Sequence, residues 1–160
     1  MGIEIYAARI GAIWGPLGRT ASQFFAVPQL VHAAVAGNAP DLSTLPGGRA
    51  PHADDGIDLM YVRECGRALA LLQLAERLEH RVYNVSGGRL TTYREIVEAI
   101  SAALPGTKFA LAEDQDPRQA RPRIWLDNSR LRQNTGYEPE YSTDRAVADY
   151  VAWLQAGNER

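Results

Sequence analysis

The chain has 160 residues, 46% of them apolar and 22% charged, with a formal net charge of −2. That length suits one domain with a sizeable hydrophobic core, and so small a charge leaves no electrostatic footprint for nucleic acid. One cysteine, Cys65, excludes a disulfide framework within the chain, and no apolar run reaches the roughly 18 residues that a membrane-spanning helix needs.

The elements alternate between strand-like and helix-like segments. Ile3 to Ile13 reads as the first strand, rich in β-branched and aromatic residues, and a Gly/Pro loop follows through Arg19. Residues 22–36 read as a helix, with Phe24, Val27, Leu30, Val31 and Val35 at helical spacing; Pro28 is tolerated if the helix starts there. Residues 38–56 form the longest irregular stretch and are expected to be a mobile or substrate-covering loop. Ile57 to Val62 is a short strand or extended lead-in to a helix over 63–78, striped by Leu71, Leu72, Ala75 and Leu78. Arg81 to Val85 is the next strand and ends in Ser86-Gly87-Gly88, read as a turn. Thr92 and Glu95 make a capping-box pair ahead of Ile96, Val97, Ile100 and Leu104, and Pro105-Gly106 ends that helix. Lys108 to Leu111 is expected to be a strand. Asp127 is the expected cap of a short helix that stops at Gly136, and the last helix starts near Ser142 or Thr143 with Val147, Tyr150, Val151 and Leu154 on one stripe. An α/β layering accommodates all of these.

Metal chemistry finds little support. His32, His52 and His80 have no ligand spacing, and close Cys/His pairs are missing, so no metal site is expected. Asp54 and Asp55 beside His52 are read as a solvated turn rather than a loose hard-cation site. Cys65 falls near a helix start, where a thiol can be activated, but the reading preferred is a small half-buried residue. Nothing in their spacing makes Asp58 and Glu64 an acid/base pair. No G-x-G-x-x-G occurs, and Gly87-Gly88 lacks the third glycine that would let a helix N-terminus receive a pyrophosphate. Arg118, Arg121 and Arg123 follow the acidic run Glu113-Asp114-Gln115-Asp116. They are either a solvated charged loop or a fork for phosphate or carboxylate.

Four segments in order resemble the extended short-chain dehydrogenases, the family of NAD(P)-dependent sugar epimerases and dehydratases. They are Arg9 to Pro16 (RIGAIWGP), Asp58 to Ala68 (DLMYVRECGRA), Tyr83 to Gly88 (YNVSGG) and Asp127 to Pro139 (DNSRLRQNTGYEP). They look like the family's R-x-x-N-x-Y-G-P, R-D-F-V-Y-V-D-D-V-A-R-A, Y-N-V-G-x-G and D-x-S-K-A-x-x-x-L-G-W-x-P. The resemblance implies a fold made of the C-terminal portion of a Rossmann-type protein: a few strands of the parallel sheet plus a helical substrate-binding subdomain. Residues 1–160 would then be a single domain equivalent to the family's C-terminal half, with the glycine-rich dinucleotide-binding half absent.

The departures from the pattern carry their own implications. The asparagine that contacts substrate in nucleotide-sugar members is here Ala12, and the diphosphate-binding arginine is Ile57. A smaller or less charged substrate is therefore expected, a sugar-like or hydroxy compound. The family's catalytic Tyr-x-x-x-Lys has no counterpart, since no tyrosine stands four residues from Lys108, the chain's only lysine. No catalytic residue is therefore assigned. Ile10 and Gly11 are expected to face the nicotinamide of NAD or NADP, and Ala12, Trp14, Arg118, Arg121 and Arg123 to line the substrate pocket. The chain alone is expected to bind no cofactor. Two readings follow: a substrate-binding portion of such an enzyme, or a non-catalytic module that pairs with a partner through its first strand. In either, self-association or docking of a complementary N-terminal half is expected. With no basic region ahead of an apolar core at the N-terminus, a cytoplasmic location is expected, and Asn84-Val85-Ser86 is read as a chance match to a glycosylation acceptor.

Overall fold

The computed structural model describes residues 5–18, 22, 24–45, 50–117 and 124–158. The stretch expected as one strand folds as two, β1 (Ala7–Ile10) and β2 (Ala12–Trp14). They are separated by one residue, Gly11, at which the chain changes partner. β1 runs parallel to β5 (Val82–Val85), with Ala7 opposite Val82 and Ile10 opposite Val85. β2 runs parallel to β4 (Leu59–Tyr61), with Ala12 opposite Leu59 and Trp14 opposite Tyr61. The exchange is visible in two hydrogen bonds: Gly11 N donates to Val85 O at 2.9 Å, and Ala12 N donates to Asp58 O at 3.1 Å. A third, antiparallel pair joins β3 (Gly56–Ile57) to β6 (Thr91–Thr92).

The helices follow their local signals, with corrections at the ends. α1 (Val27–Ala36) starts one residue before Pro28, whose missing N–H costs nothing in a first turn. It stops at Gly37, where φ is 68° and a left-handed residue closes the helix. Phe24, counted on its stripe, lies outside the helix and is exposed. α2 (Val62–Leu74) leaves β4 without a loop and ends four residues earlier than expected, because Ala75 is extended. Leu78 continues the stripe from outside the helix and packs on the core as an irregular residue. α3 (Tyr93–Ala103) is capped as expected: Thr92 Oγ1 accepts the N–H of Glu95 at 3.2 Å.

α4 (Ser129–Thr135) has Asn128, not Asp127, at the cap position. Asp127 acts from one residue further out, its Oδ1 accepting the Ser129 N–H at 2.9 Å. α5 (Thr143–Gln155) is capped by Ser142, whose Oγ accepts the Arg145 N–H at 3.3 Å. Residues 108–111, expected as a strand, belong to none of the strands among the described residues; a bridge beside them joins His52 to Ala112.

β4 explains where the core sits. Successive strand residues face opposite ways. Leu59 and Tyr61 enter one apolar cluster with Trp14 and the inner faces of α1, α3 and α5. Met60 enters a second cluster with Tyr83 and Val85 of β5, Cys65, Ala68 and Leu72 of α2, and Leu131 of α4. A parallel strand covered on both faces reads as a continuous apolar run, as Leu59-Met60-Tyr61 does.

Candidate functional site

In open α/β sheets, ligands gather at the carboxyl ends of strands where the chain changes direction between neighbours. Here that place is Gly11. A Cβ on Gly11 would lie 3.1 Å from Ser86 Cβ and 3.3 Å from Asp58 O, so glycine is required by the close approach of three strands. Ser86 follows β5 and is fully buried. Its Oγ donates to Leu126 O at 3.0 Å and accepts the Gly88 N–H at 3.3 Å. Asn128 Nδ2 donates to Ser86 O at 3.2 Å, and Asn84 Nδ2 donates to Asp127 O at 2.7 Å. Asp58 Oδ2 accepts the Leu126 N–H at 2.9 Å, while its Oδ1 is buried without a hydrogen-bond partner among the described residues. Residues 126–128 are thus laced across the strand ends by side chains of β5 and of the residue before β4. Next to them stand Ile124 and Trp125, 73% and 54% exposed.

The expected site residues fall into three groups. Ile10 and Gly11 lie at this strand end, Ile10 being 44% exposed and Gly11 wedged against Ser86. Ala12 and Trp14 lie beyond the change of partner. Ala12 is half-buried against the core, and Trp14 is 4% exposed, its indole edge-on to Tyr61 with ring centres 5.2 Å apart. Arg118, Arg121 and Arg123 lie outside the described residues. Sequence reasoning missed Asp58, Ser86 and Asn128 as organisers of this end. The one signal that could have found the neighbouring surface is Trp125, a large apolar side chain just after the arginine run.

Glu64, Tyr61 and Cys65 are committed elsewhere. Glu64 is buried; its carboxylate accepts Tyr137 O–H at 3.0 Å, Tyr141 N–H at 2.7 Å and the Glu140 N–H, and it meets Arg67 at 3.4 Å. Burial, then the Glu64 charge, raises the Tyr137 phenol above its ordinary range. Glu64 is accordingly a tie between α2 and the α4–α5 connection, remote in its bonding from Asp58. Tyr61 donates to Asp149, which also meets Arg63 at 2.9 Å; burial first and Asp149 second hold that phenol protonated. Cys65 is buried, and burial pushes its thiol up, away from thiolate chemistry.

Asp54 and Asp55 correct the expectation of a solvated turn. Asp55 accepts the His52 and Asp116 N–H groups at 2.9 and 3.2 Å, and Asp54 pairs with Arg94 at 3.0 Å, which also holds Glu113 at 2.6 Å. No group of three or more His, Cys, Asp or Glu among the described residues is placed to hold a metal ion.

The strand end offers no seat for the phosphates of a dinucleotide among the described residues. A pyrophosphate needs an open turn of free N–H groups leading into a helix. The Gly87-Gly88 bend leads instead into β6, and the space a Cβ would take at Gly88, where φ is 70°, is filled by Asn128 at 2.7 Å. The N-terminus of α3 beyond is closed by Thr92. These residues do not fit the phosphates.

A cavity of about 440 Å³, which shares no lining residue with this end, lies between Leu30 of α1, residues 38–42 and residues 108–111. The stretch expected to cover a substrate contributes Asn38, Pro40, Leu42 and Ala50 to its wall.

No protein-family model and no curated protein sequence matches the chain. Solved structures do match. A dTDP-glucose 4,6-dehydratase from Bacillus anthracis in complex with NAD superposes with a TM-score of 0.67 at 20% identity, over 93% of this chain and 44% of its own. A UDP-glucuronic acid 4-epimerase from Bacillus cereus, in complex with UDP-glucuronic acid and NAD, gives 0.70 at 14% identity over 96% and 46%. A partial-consensus L-threonine 3-dehydrogenase gives 0.68 at 25% identity over 96% and 50%. The chain spans about half the length, or less, of these enzymes. Its fold is that of the matching part of the extended short-chain dehydrogenases, the NAD-dependent epimerases and dehydratases.

Proposed function

We propose that the chain is the substrate-binding portion of an NAD(P)-dependent epimerase, dehydratase or dehydrogenase, catalytically incomplete by itself and completed by a nucleotide-binding half that docks beside β1. The observation that carries this reading is the superposition of nearly the whole chain on about half of NAD-binding enzymes. It is supported by the strand end at Gly11, which offers a ring-facing edge but no phosphate cradle. The nicotinamide would lie against Ile10 and Gly11, and the substrate would be held by Ala12 and the Arg118, Arg121 and Arg123 run, with Trp14 stiffening the wall from within the core. Ile57, paired with Thr91 and packed on the core, supplies no charge where a diphosphate would need one, which favours a small sugar-like or hydroxy substrate. Among the described residues no helix is long and apolar enough to cross a membrane, in keeping with work in the cytoplasm.

Calorimetry with NAD and NADP tests the incompleteness. Binding no tighter than a dissociation constant of about 10 μM, or roughly −7 kcal/mol, is expected, with no turnover of sugars or hydroxy compounds. A tighter constant, or turnover that survives repurification, overturns it. A second reading, a non-catalytic module that pairs through its first strand, is favoured by β1. Among the described residues that strand pairs only with β5, and Ile5 and Ile10 are exposed beside its free edge. Sedimentation of Ile10→Lys tests the pairing: a monomer with unchanged stability supports pairing through β1, whereas an unmodified chain that is already monomeric at about 100 μM removes self-pairing.

A further inference from the structure

We propose that the cavity between Leu30 of α1, residues 38–42 and residues 108–111 is a second ligand site, separate from the strand end at Gly11, and that it takes a small amphipathic monoanion: an apolar body with one carboxylate.

Volume and wall chemistry come first. A cavity of about 440 Å³ is within the range that small-molecule sites occupy, and such sites are mostly apolar with a few polar groups that fix orientation. Among the described residues this one has Leu30, Leu42, Phe109 and Leu111 as its apolar wall and two polar side chains, Asn38 and Lys108. Leu30 is completely buried and belongs to the main core, so the wall is anchored in the rigid part of the molecule. None of these residues belongs to the strand-end site, and none of the described lining residues is acidic.

The charge selects the ligand class. Lys108 is exposed at the edge of the cavity and forms no ion pair among the described residues. One cation beside an apolar chamber matches a ligand whose tail fills the chamber while its anionic head stays at the wet rim. A dianionic phosphate would find one cation among the described lining residues. A neutral hydrophobe would leave the cation unused. The competing role for Lys108 is to oppose the carbonyl end of α1, a minor stabilisation. Gly37 and Asn38 already cover two of those carbonyls, Ala34 O at 3.2 Å and Ala33 O at 2.9 Å. That reduces what the ammonium is needed for there.

The test uses the whole chain and straight-chain carboxylates from hexanoate to decanoate, each below its micelle concentration, with the matching alkanols beside them. One-to-one saturable binding is expected, tightening about fourfold per added methylene until the cavity is full. Amide shifts should concentrate at Asn38–Leu42 and Lys108–Leu111. Lys108→Gln should weaken the carboxylates about fivefold and leave the alkanols unchanged. Ala110→Trp, at an exposed wall position, should abolish both while thermal unfolding stays within a few degrees of the unmodified chain. No saturation by about 10 mM decanoate overturns the site, as do shifts centred on Ile10–Ala12 and Ser86–Gly88. Equal loss of acids and alkanols in Lys108→Gln overturns the assignment of an anion.

Discussion

β1 and β2 are one extended stretch interrupted by one glycine, yet they live in different surroundings. β2 joins β4, a strand buried along its whole length, and sends Trp14 into an aromatic packing with Tyr61 and Tyr150. β1 joins β5 and leaves three of its four residues exposed; only Ala8 packs against the second core cluster. The sequence of the two halves is similarly apolar, so composition does not set the difference. What sets it is the number of layers available. β2 and β4 have helices packed over Trp14 and Tyr61, whereas nothing among the described residues covers the outer face of β1.

The strongest way to sharpen that contrast is Trp14→Ala, which empties a large volume in the main core. A loss of about 3–5 kcal/mol in urea unfolding is expected; a loss under about 1 kcal/mol would mean the two halves are equally dispensable. Gly11→Ala strikes the junction itself. The added methyl meets Ser86 Cβ and Asp58 O below comfortable contact, so about 1–3 kcal/mol should be lost, together with amide-shift changes in both β5 and residues 57–59. Changes confined to one side would show that the strand end is not a shared joint. Ile10→Ala, on the exposed half, should cost only about 0.5 kcal/mol in the monomer. A cost near that of Trp14→Ala would break the comparison.

The smallest effect is electrostatic. The Asp127 carboxyl is held below the usual carboxylate range, first by the Ser129 N–H and then by the Ser129 hydroxyl. A depressed folded value means its stabilisation is present above the unfolded value of about 3.9 and fades as pH falls through the folded one. Carboxyl-carbon titration should place its midpoint under that of an unstructured aspartate, and the Ser129 amide should lose exchange protection over the same interval. A midpoint at or above about 3.9 would remove the cap from the lacing over β5.

The local signals were legible and the long-range ones were not. Thr92 and Ser142 cap their helices as their spacing indicates, and the stripes of α3 and α5 are the buried faces. Leu78 misled the reading of α2, since an irregular segment can carry a helical stripe onward. The strand expected at 108–111 failed because apolar content, here Phe109 and Leu111, does not supply a neighbour. At the strand end, Ile10 and Gly11 take their role from a motif, whereas Asp58, Ser86 and Asn128 stand in the other three motif segments with no role assigned. Their partners lie dozens of residues away, and no local spacing encodes them.

The change of partner at Gly11 also bears on the order in which the molecule assembles. β2 meets a strand that follows it after one helix, while β1 must wait for β5, which emerges only after α2 has been made. Loop closure costs rise with the length of chain enclosed, though slowly. The joint therefore ties an earlier, shorter closure to a later, longer one through a single peptide. Once β2 and β4 have met, β1 is already delivered next to the place where β5 will land, so the second pairing begins as a local search.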